Sequence, residues 1–577
     1  MHRKLRTLVS VITEAFANDL RKNNDLSHRL SFVIGVGLLA IPVFALCIAT
    51  IFFICGSSIN PVIFPLSVLL SLLLMFFLNG NNLKQFIGAS LMVLAIVSTA
   101  LVIASLTYDF AYDGQWYHQD IIFRLTNGWN PIYTWHSHEP IVHSDIWVNH
   151  YAKGLETIAA TMYSLTGNIE SGKAVNFIIV TASGFLCFSF LRKIFTFLSQ
   201  WKSIFFACMF VLCPVVISQL FTLNIDWASY LLIFLTIFAL ISYEKQPTVF
   251  LQIFIAVLIM LMISVKFNLF FWGGFVFICF FVYWFFTKKA NIIYSLLKPC
   301  VIAVCVSVFA VSFNPYITNS IDHKQPLYPL MGKDKYDIIP IITPSFFQNK
   351  SAVYSVFTSV FAQPKVQVTT TDNFPFLDIT IRAPRIYGWG FYFSWIVLLS
   401  LLLYISIIVY KRDWFRNKDR LPYSIFLTIL FGGMFVLPAG WFARYYPFMY
   451  AFPLVICLYL EKERHTLRLL LRLRYVVYGL LLMNTIIVSL HVKQRIGEQH
   501  AKINNLLTVL SETKEIPRLH VSYNAGVKIK LDAANIPYYV PPTPELRKAL
   551  ILTFPIHPEV FLDTAQFYLK DKVLYKK

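Results

Sequence analysis

Long apolar runs separated by short polar or basic joints dominate the chain. They can be read at 31–55, 62–79, 86–107, 174–191, 203–223, 228–242, 249–265, 269–286, 296–313, 386–410, 421–438, 445–460 and 475–491. A helix of about 20 apolar residues crosses the hydrocarbon of a bilayer. Lipid offers no partner to free backbone groups, so each run is expected to be helical. The pattern predicts an all-α polytopic membrane protein of about thirteen transmembrane helices over 31–491, behind a basic leader at 1–30. The first run begins near Ser31 and outlasts the apolar core of a cleavable signal peptide, so it is expected to stay as a span.

Composition strengthens this picture. Hydrophobic residues make up 57 % of the 577 residues, charged residues 14 %, and mean hydropathy is +0.63. A soluble domain carries about 25 % charged residues, so this chain lacks the polar surface to face water everywhere. The net charge of +20 does not indicate a nucleic-acid partner, because the basic residues sit in joints beside lipid headgroups. With the N-terminal Arg3, Lys4, Arg6, Arg21, Lys22 and Arg29 in the cytoplasm, alternation puts four more basic joints on that side. These are Arg192/Lys193/Lys202, Lys288/Lys289, Lys411 to Arg420 and Lys462 to Arg474; the opposite joints 56–61 and 223–227 hold no Lys or Arg. The same alternation sends 108–173, 314–385 and the tail 492–577 outside. The tail mixes strand-like His520–Tyr523 and Pro537–Val540 with helix-like Pro544–Leu552, which suggests a small extracytoplasmic α/β region whose lysines are mainly solvated. All nine cysteines fall in or beside apolar stretches and read as small packing residues.

The first outer loop carries the sharpest chemistry. Directly after the third run, Asp109, Asp113 and Asp120 cluster with His118 and the aromatic Tyr112, Trp116 and Tyr117. A carboxylate beside aromatic surface suits a general base acting on a sugar hydroxyl. An interfacial loop with ordinary surface acids would read the same way from spacing alone. Further on come His136, His138, His143 and His150, then Lys153 and Glu156. A His-x-His pair in a loop does not by itself fix metal geometry. Contacts to an acceptor or a phosphate fit His150, Lys153 and Glu156 better.

Three more polar features stand at the outer ends of later runs: Asn224-Ile225-Asp226, Lys266 within Ser264 to Asn268, and Arg444-Tyr445. An ionisable residue embedded in apolar sequence usually faces a cavity or a partner. Snorkelling or helix capping would account for Lys266 and Asp226 singly. The five donors of a guanidinium match paired phosphate oxygens, which suits Arg444.

A span followed by Asp113-Gly114, then Tyr117-His118 at the head of a long outer loop, resembles the membrane glycosyltransferases of the GT-C superfamily. It is similar to their bacterial mannosyltransferase and aminoarabinose-transferase-like group. The Asn224-to-Asp226 turn, the Lys266-Phe267 pair, the proline-rich stretch Phe313 to Leu330 and Arg444-Tyr445 follow in the family's order. The resemblance covers roughly 86–460. It implies sugar transfer from a polyprenyl phosphate to an acceptor hydroxyl, with inversion, on the outer face of a bacterial inner membrane. In the family, the acid opening the first outer loop is the base. Asp113 matches that position best and Asp109 second. His118, Asp120, His150, Lys153, Glu156, Asp226, Lys266, Arg444 and Tyr445 would hold substrate. Partners would be the lipid-linked sugar donor, membrane lipids and a glycan, lipid or protein acceptor. No cofactor follows; a divalent cation is one that the acids could hold or do without.

Two other readings stand beside this one. A polymerase or ligase using a lipid diphosphate would need a second outer arginine near Arg444, such as Arg382 or Arg385. A transporter or lipid flippase would place binding groups near the midplane within repeated halves, and the sequence has no internal repeat.

Overall fold

The computed structural model describes residues 26–573 apart from 80–81, 138–144, most of 337–346, 362–388, most of 411–429, 436–438, 463–467, 513–517, 522–524, 539–564 and 570–571. Residues 1–25 of the basic leader, His138, His143, Arg382, Arg385, the run at 421–438 for the most part and the stretch 544–552 lie outside the described residues.

Helices carry nearly all of the described structure. In chain order they are α1 (Leu26–Ile54), α2 (Ile63–Leu78), α3 (Leu83–Ser105), α4 (Gln119–Thr126), α5 (Asp145–His150), α6 (Gly154–Thr166) and α7 (Ala174–Ile194). Then come α8 (Gln200–Val211), α9 (Pro214–Gln219), α10 (Asp226–Lys245), α11 (Val249–Val265), α12 (Phe267–Phe286) and α13 (Ala290–Val306). The last are α14 (Phe313–Asp322), α15 (Ala352–Phe361), α16 (Phe393–Tyr410), α17 (Ala451–Lys462), α18 (Arg468–Glu512) and α19 (Ala525–Ala533). Among the described residues, seven helical stretches are long and apolar enough to cross a membrane: 28–54, 83–105, 169–194, 226–245, 267–286, 290–311 and 472–512. The chain is an integral membrane protein built on helices.

Several apolar runs give shorter helices, for local reasons. Pro214 cannot donate a backbone hydrogen bond, and it splits the run at 203–223 into α8 and α9. The helix within 445–460 is only Ala451–Lys462, because Trp441 to Tyr450 fold into turns and a short 3-10 helix. The run at 475–491 behaves in the opposite way. Its helix α18 continues to Glu512, 45 residues in all. At 1.5 Å per residue that is roughly 67 Å, about twice the hydrocarbon thickness. The continuation is held by an apolar edge, with Val488 and Val492 against Phe110 and Ile217, and Leu506 and Leu510 against Val527 and Leu531.

Burial separates an inner bundle from a lipid-facing rim. α1 and α10 are buried almost throughout and pack against α7 and α11. By contrast α3, α12 and α13 turn Leu91, Val102, Phe271, Ile278, Phe285, Val301 and Ile302 outward. So much contiguous exposed apolar surface is unfavourable in water and neutral in lipid.

In the tail, β1 (Arg518–Val521), β2 (Ala565–Leu569) and β3 (Lys572–Val573) form a small antiparallel sheet in that order. Arg518 pairs with Tyr568, and Tyr568 with Val573. α19 docks on the first long loop, where Ile529 packs with Ile121, Ile122 and Ile169.

Candidate active site

Four chain breaks at one end of the bundle bring the ionisable residues together. α10 begins at Asp226, and its far end carries Glu244 and Lys245. Lys266 sits in extended backbone between the end of α11 and the start of α12. Arg444 lies in the turn preceding α17, and Asp113 precedes the π-helical turn Gly114–His118. All four positions therefore fall at the same end of their helices. The opposite end has its own ion pairs, Lys289–Glu244 and Lys202–Glu461, with Arg474 also on Glu461.

Arg444 joins two carboxylates at once. Its Nη2 donates to Asp113 Oδ2 and its Nε to Asp226 Oδ2, while Lys266 Nζ donates to Asp226 Oδ1. Gln219 Nε2 adds a 3.1 Å hydrogen bond to Asp226, and Gln219 Oε1 accepts from Trp227 N at 3.0 Å. Burial opposes the charge on Arg444, but the Asp113 and Asp226 carboxylates outweigh it and hold its pKa well above the usual value. The two acids differ in access. Asp226 is 1 % exposed, whereas Asp113 is 17 % exposed. Asp226 is an anchor for the cations, and Asp113 is the carboxylate that can meet a substrate.

Aromatic rings surround this cluster. Lys266 Nζ lies 5.1 Å from the Tyr445 ring centre. Trp147 contacts Trp116, Tyr117 and Tyr151, and Tyr112 contacts Trp116. Burial and the nearby Asp113 charge raise the pKa of Tyr117, and burial with Tyr445 and Asp113 raises that of Tyr151, so both hydroxyls stay protonated. These rings combine flat apolar faces with hydroxyl handles, the kind of surface that a sugar ring with its polar rim can use.

Asp109 has a different role. It is fully buried, and its carboxylate accepts from Ala111 N at 2.7 Å and Leu223 N at 2.8 Å. Its own N–H donates to Glu170 Oε2 at 3.0 Å. Burial, and then the Glu170 charge, push its pKa up to about 6, against the opposing pull of Lys173 and the two backbone donors. Asp109 therefore ties the turn before Asp113 to the turn before α10. A Cβ on Gly114 would collide with this carboxylate. Asp109→Ala strands two buried donors at about 1–3 kcal/mol each. The expected result is a Tm several degrees lower and less folded protein, read by thermal unfolding and size-exclusion yield, where Asp113→Asn keeps the wild-type Tm within about 2 °C.

The other residues singled out from sequence form the scaffold of the loop. Asp120 is buried and pairs with Arg124 at 2.6 Å. His118 Nδ1 and Glu156 Oε1 are 2.6 Å apart, both side chains are buried, and among the described residues His118 Nε2 and Glu156 Oε2 have no hydrogen-bond partner. Lys153 donates to Asn149 O, Tyr151 O and Asn314 Oδ1 at 3.1, 2.7 and 2.7 Å. Those three carbonyl oxygens use all its donors, so Lys153 binds loop to loop; burial lowers its pKa to about 7. Gly154 beside it is required by close packing, since a Cβ there would lie 2.7 Å from Ser264 O.

His150 Nδ1 lies 2.7 Å from Asn319 Oδ1, and Asn319 Nδ2 returns a hydrogen bond to His150 O at 3.2 Å. Burial first, and then the Lys153 charge, push the His150 pKa from 6.5 down to about 4 despite the Asn319 hydrogen bond. The unfolded chain then binds this proton below pH 6.5 while the folded chain refuses it down to about 4, so stability is full above 6.5 and falls as pH drops through that window. Thermal unfolding between pH 7 and 4 should show that fall in wild type and a shallower one in His150→Gln.

No protein-family model matches the chain, and no curated protein matches it. Function has to be read from the side chains themselves.

Among the described residues no group of three or more His, Cys, Asp or Glu side chains is arranged to hold a metal ion. Two groups were not evident in the sequence. Gln219 is one, a lone amide in an apolar stretch seven residues before Asp226, which was the available signal. Glu170, Lys173 and Lys530 form the other, with Lys173 2.6 Å and Lys530 3.0 Å from Glu170. Lys530 is 8 % exposed, so this tail lysine is not solvated as its composition suggested. Nothing in its sequence neighbourhood signals a partner 360 residues away.

Proposed function

We propose that the protein is a membrane glycosyltransferase that moves a sugar from a polyprenyl phosphate to an acceptor hydroxyl, with inversion, as its resemblance to the GT-C superfamily implies. The single observation that carries this reading is Arg444 held between the accessible Asp113 and the buried Asp226, with Lys266 on the far side of Asp226.

The charges of that cluster fit the reaction. At rest, two carboxylates face two cations. Asp113 removes the proton of the acceptor hydroxyl as its oxygen attacks the anomeric carbon. The bond from that carbon to the phosphate oxygen breaks, and its electron pair goes to the phosphate. The donor, a phosphodiester with one charge, becomes a monoester that gains a second. In the same step Asp113 becomes neutral, which leaves Arg444, Lys266 and Asp226 with one net positive charge. Fixed charge placed where charge develops is usually the largest catalytic term. Asp226 and Gln219 hold the cations in place so that little reorganisation is needed. The aromatic faces of Trp116, Trp147 and Tyr151 would orient the sugar, which supplies much of the remainder.

The cluster faces the extracytoplasmic side in this reading, and the opposite end, with Lys202, Lys289 and Arg474, faces the cytoplasm of a bacterial inner membrane. The shorter helices α2, α8–α9, α11, α16 and α17, together with the run at 421–438, would complete the thirteen passes. The tail would be an extracytoplasmic α/β cap.

The test is transfer in proteoliposomes with radiolabelled polyprenyl-phosphate sugars, joined to mass analysis of envelope glycans from cells with and without the protein. A new glycoside together with free polyprenyl phosphate is expected. Release of the diphosphate instead would point to the polymerase reading. Sugar crossing the bilayer with no covalent product would end the transferase reading altogether.

A further inference from the structure

The mechanism leaves unused a second buried charge cluster, and it connects the C-terminal arm to the turn that carries Asp113. Beyond the bundle, α18 runs beside that turn. Gln499 Nε2 donates to Asp109 O at 3.4 Å, Tyr108 OH donates to Asn504 Oδ1 at 3.2 Å, and the Tyr108 and His500 rings are 5.3 Å apart. The chain then folds back, and α19 lays Val527 and Leu531 against Leu506 and Leu510 while Ile529 enters the core of the outer loop. This hairpin of α18 and α19 brings Lys530 inside.

Lys530 Nζ is 3.0 Å from Glu170 Oε1, and it donates to Gln119 Oε1 at 3.2 Å and Gly526 O at 3.3 Å. The other oxygen of Glu170 takes Lys173 at 2.6 Å and the backbone N–H of Asp109 at 3.0 Å. Asp109 in turn holds Ala111 N, and Ala111 O accepts from Gln115 N at 3.1 Å, so the path reaches the turn that contains Asp113. Glu170 and Asp109 are two negative charges, and Lys173 and Lys530 are two positive ones. Exposure in this group runs from 0 % to 8 %. At that depth an uncompensated charge is costly, so withdrawing Lys530 leaves one excess negative charge under the base.

We propose that the C-terminal arm clamps the catalytic turn, and that Lys530 is a positioning residue for Asp113. The proposal rests on Asp113 being the base. Lys530 touches no reacting atom in it; it fixes where the Asp113 carboxylate stands relative to Arg444.

The experiment uses the full chain in membranes with Lys530→Met, Lys530→Arg and, as a control for charge alone, Lys528→Met. Hydrogen exchange over residues 109–119 should speed up about tenfold or more in Lys530→Met, stay at the wild-type rate in Lys528→Met, and return most of the way in Lys530→Arg. In the transfer assay kcat should fall about 10- to 100-fold in Lys530→Met, with the donor KM within twofold and recovery in Lys530→Arg. If Lys530→Met does not accumulate, Lys530→Gln gives the same two readings. Wild-type exchange and wild-type kcat in the neutral variant would overturn the clamp. A kcat loss that Arg fails to recover, or an equal change in KM, would overturn the positioning role. Should the wild-type protein transfer no sugar, the transferase reading fails by itself, and exchange over 109–119 alone then decides whether the arm clamps the turn.

Discussion

Asp113→Asn and Arg444→Ala will each abolish most sugar transfer while leaving a folded membrane protein. Loss of a general base costs about 10²–10⁴ in rate, and Asn cannot take the acceptor proton. Removal of one fixed electrostatic group costs about 10²–10³ in kcat, and Arg444→Ala should fall in that range. The two losses will not add. Asp113 and Arg444 share a hydrogen bond, and groups that act as a unit give double variants little worse than the single ones. Arg444→Lys will recover little, because one ammonium cannot keep the fork that reaches Asp113 and Asp226 together. Initial rates at saturating donor and acceptor, normalised to protein in the membrane, give the answer. Wild-type turnover in both single variants would remove these residues from the mechanism.

Asp226→Ala should act on stability as well as on rate. The carboxylate is 1 % exposed and serves Lys266, Arg444 and Gln219 together. Taking it away leaves Lys266 without its carboxylate and Arg444 with Asp113 alone. Breaking a buried ion pair from one side costs about 3–5 kcal/mol. The low end applies here, since Lys266 and Arg444 keep 14 % and 15 % exposure. A domain of this size should then lose several degrees in Tm, with a weak dependence on salt because the pair is shielded from the solvent. Asp226→Asn keeps an acceptor for Lys266 and should lose less. An unchanged Tm in the alanine variant would show that Asp226 is not the anchor.

Much of the site was legible because ionisable residues are conspicuous in apolar sequence. Asp226, Lys266 and Arg444 each stand alone at the end of a long hydrophobic run, and burying a charge without a partner is too unfavourable for such positions to be idle. What could not be read was the division of labour between Asp109 and Asp113. The two acids are four residues apart in similar company. Their roles diverge only because Leu223 N and Glu170, 114 and 61 residues away, close on Asp109. The surroundings of His150 and Lys153 were hidden for the same reason, since Asn319 and Asn314, which bond His150 Nδ1 and Lys153 Nζ, stand in a distant helix. The extended α18 was hidden by its polar residues, although Val488, Val492, Ile496, Ile503 and Leu510 keep a helical edge.

The sequence by itself determined that this chain lives in a membrane as a bundle of helices. Free backbone groups and apolar surface leave lipid-embedded segments no other solution, and that constraint is local. Which carboxylate stays open, which lysine is a clamp and which arginine joins two acids were decided by tertiary structure alone. A charge takes its role from neighbours within about 4 Å, and here those neighbours come from helices hundreds of residues apart.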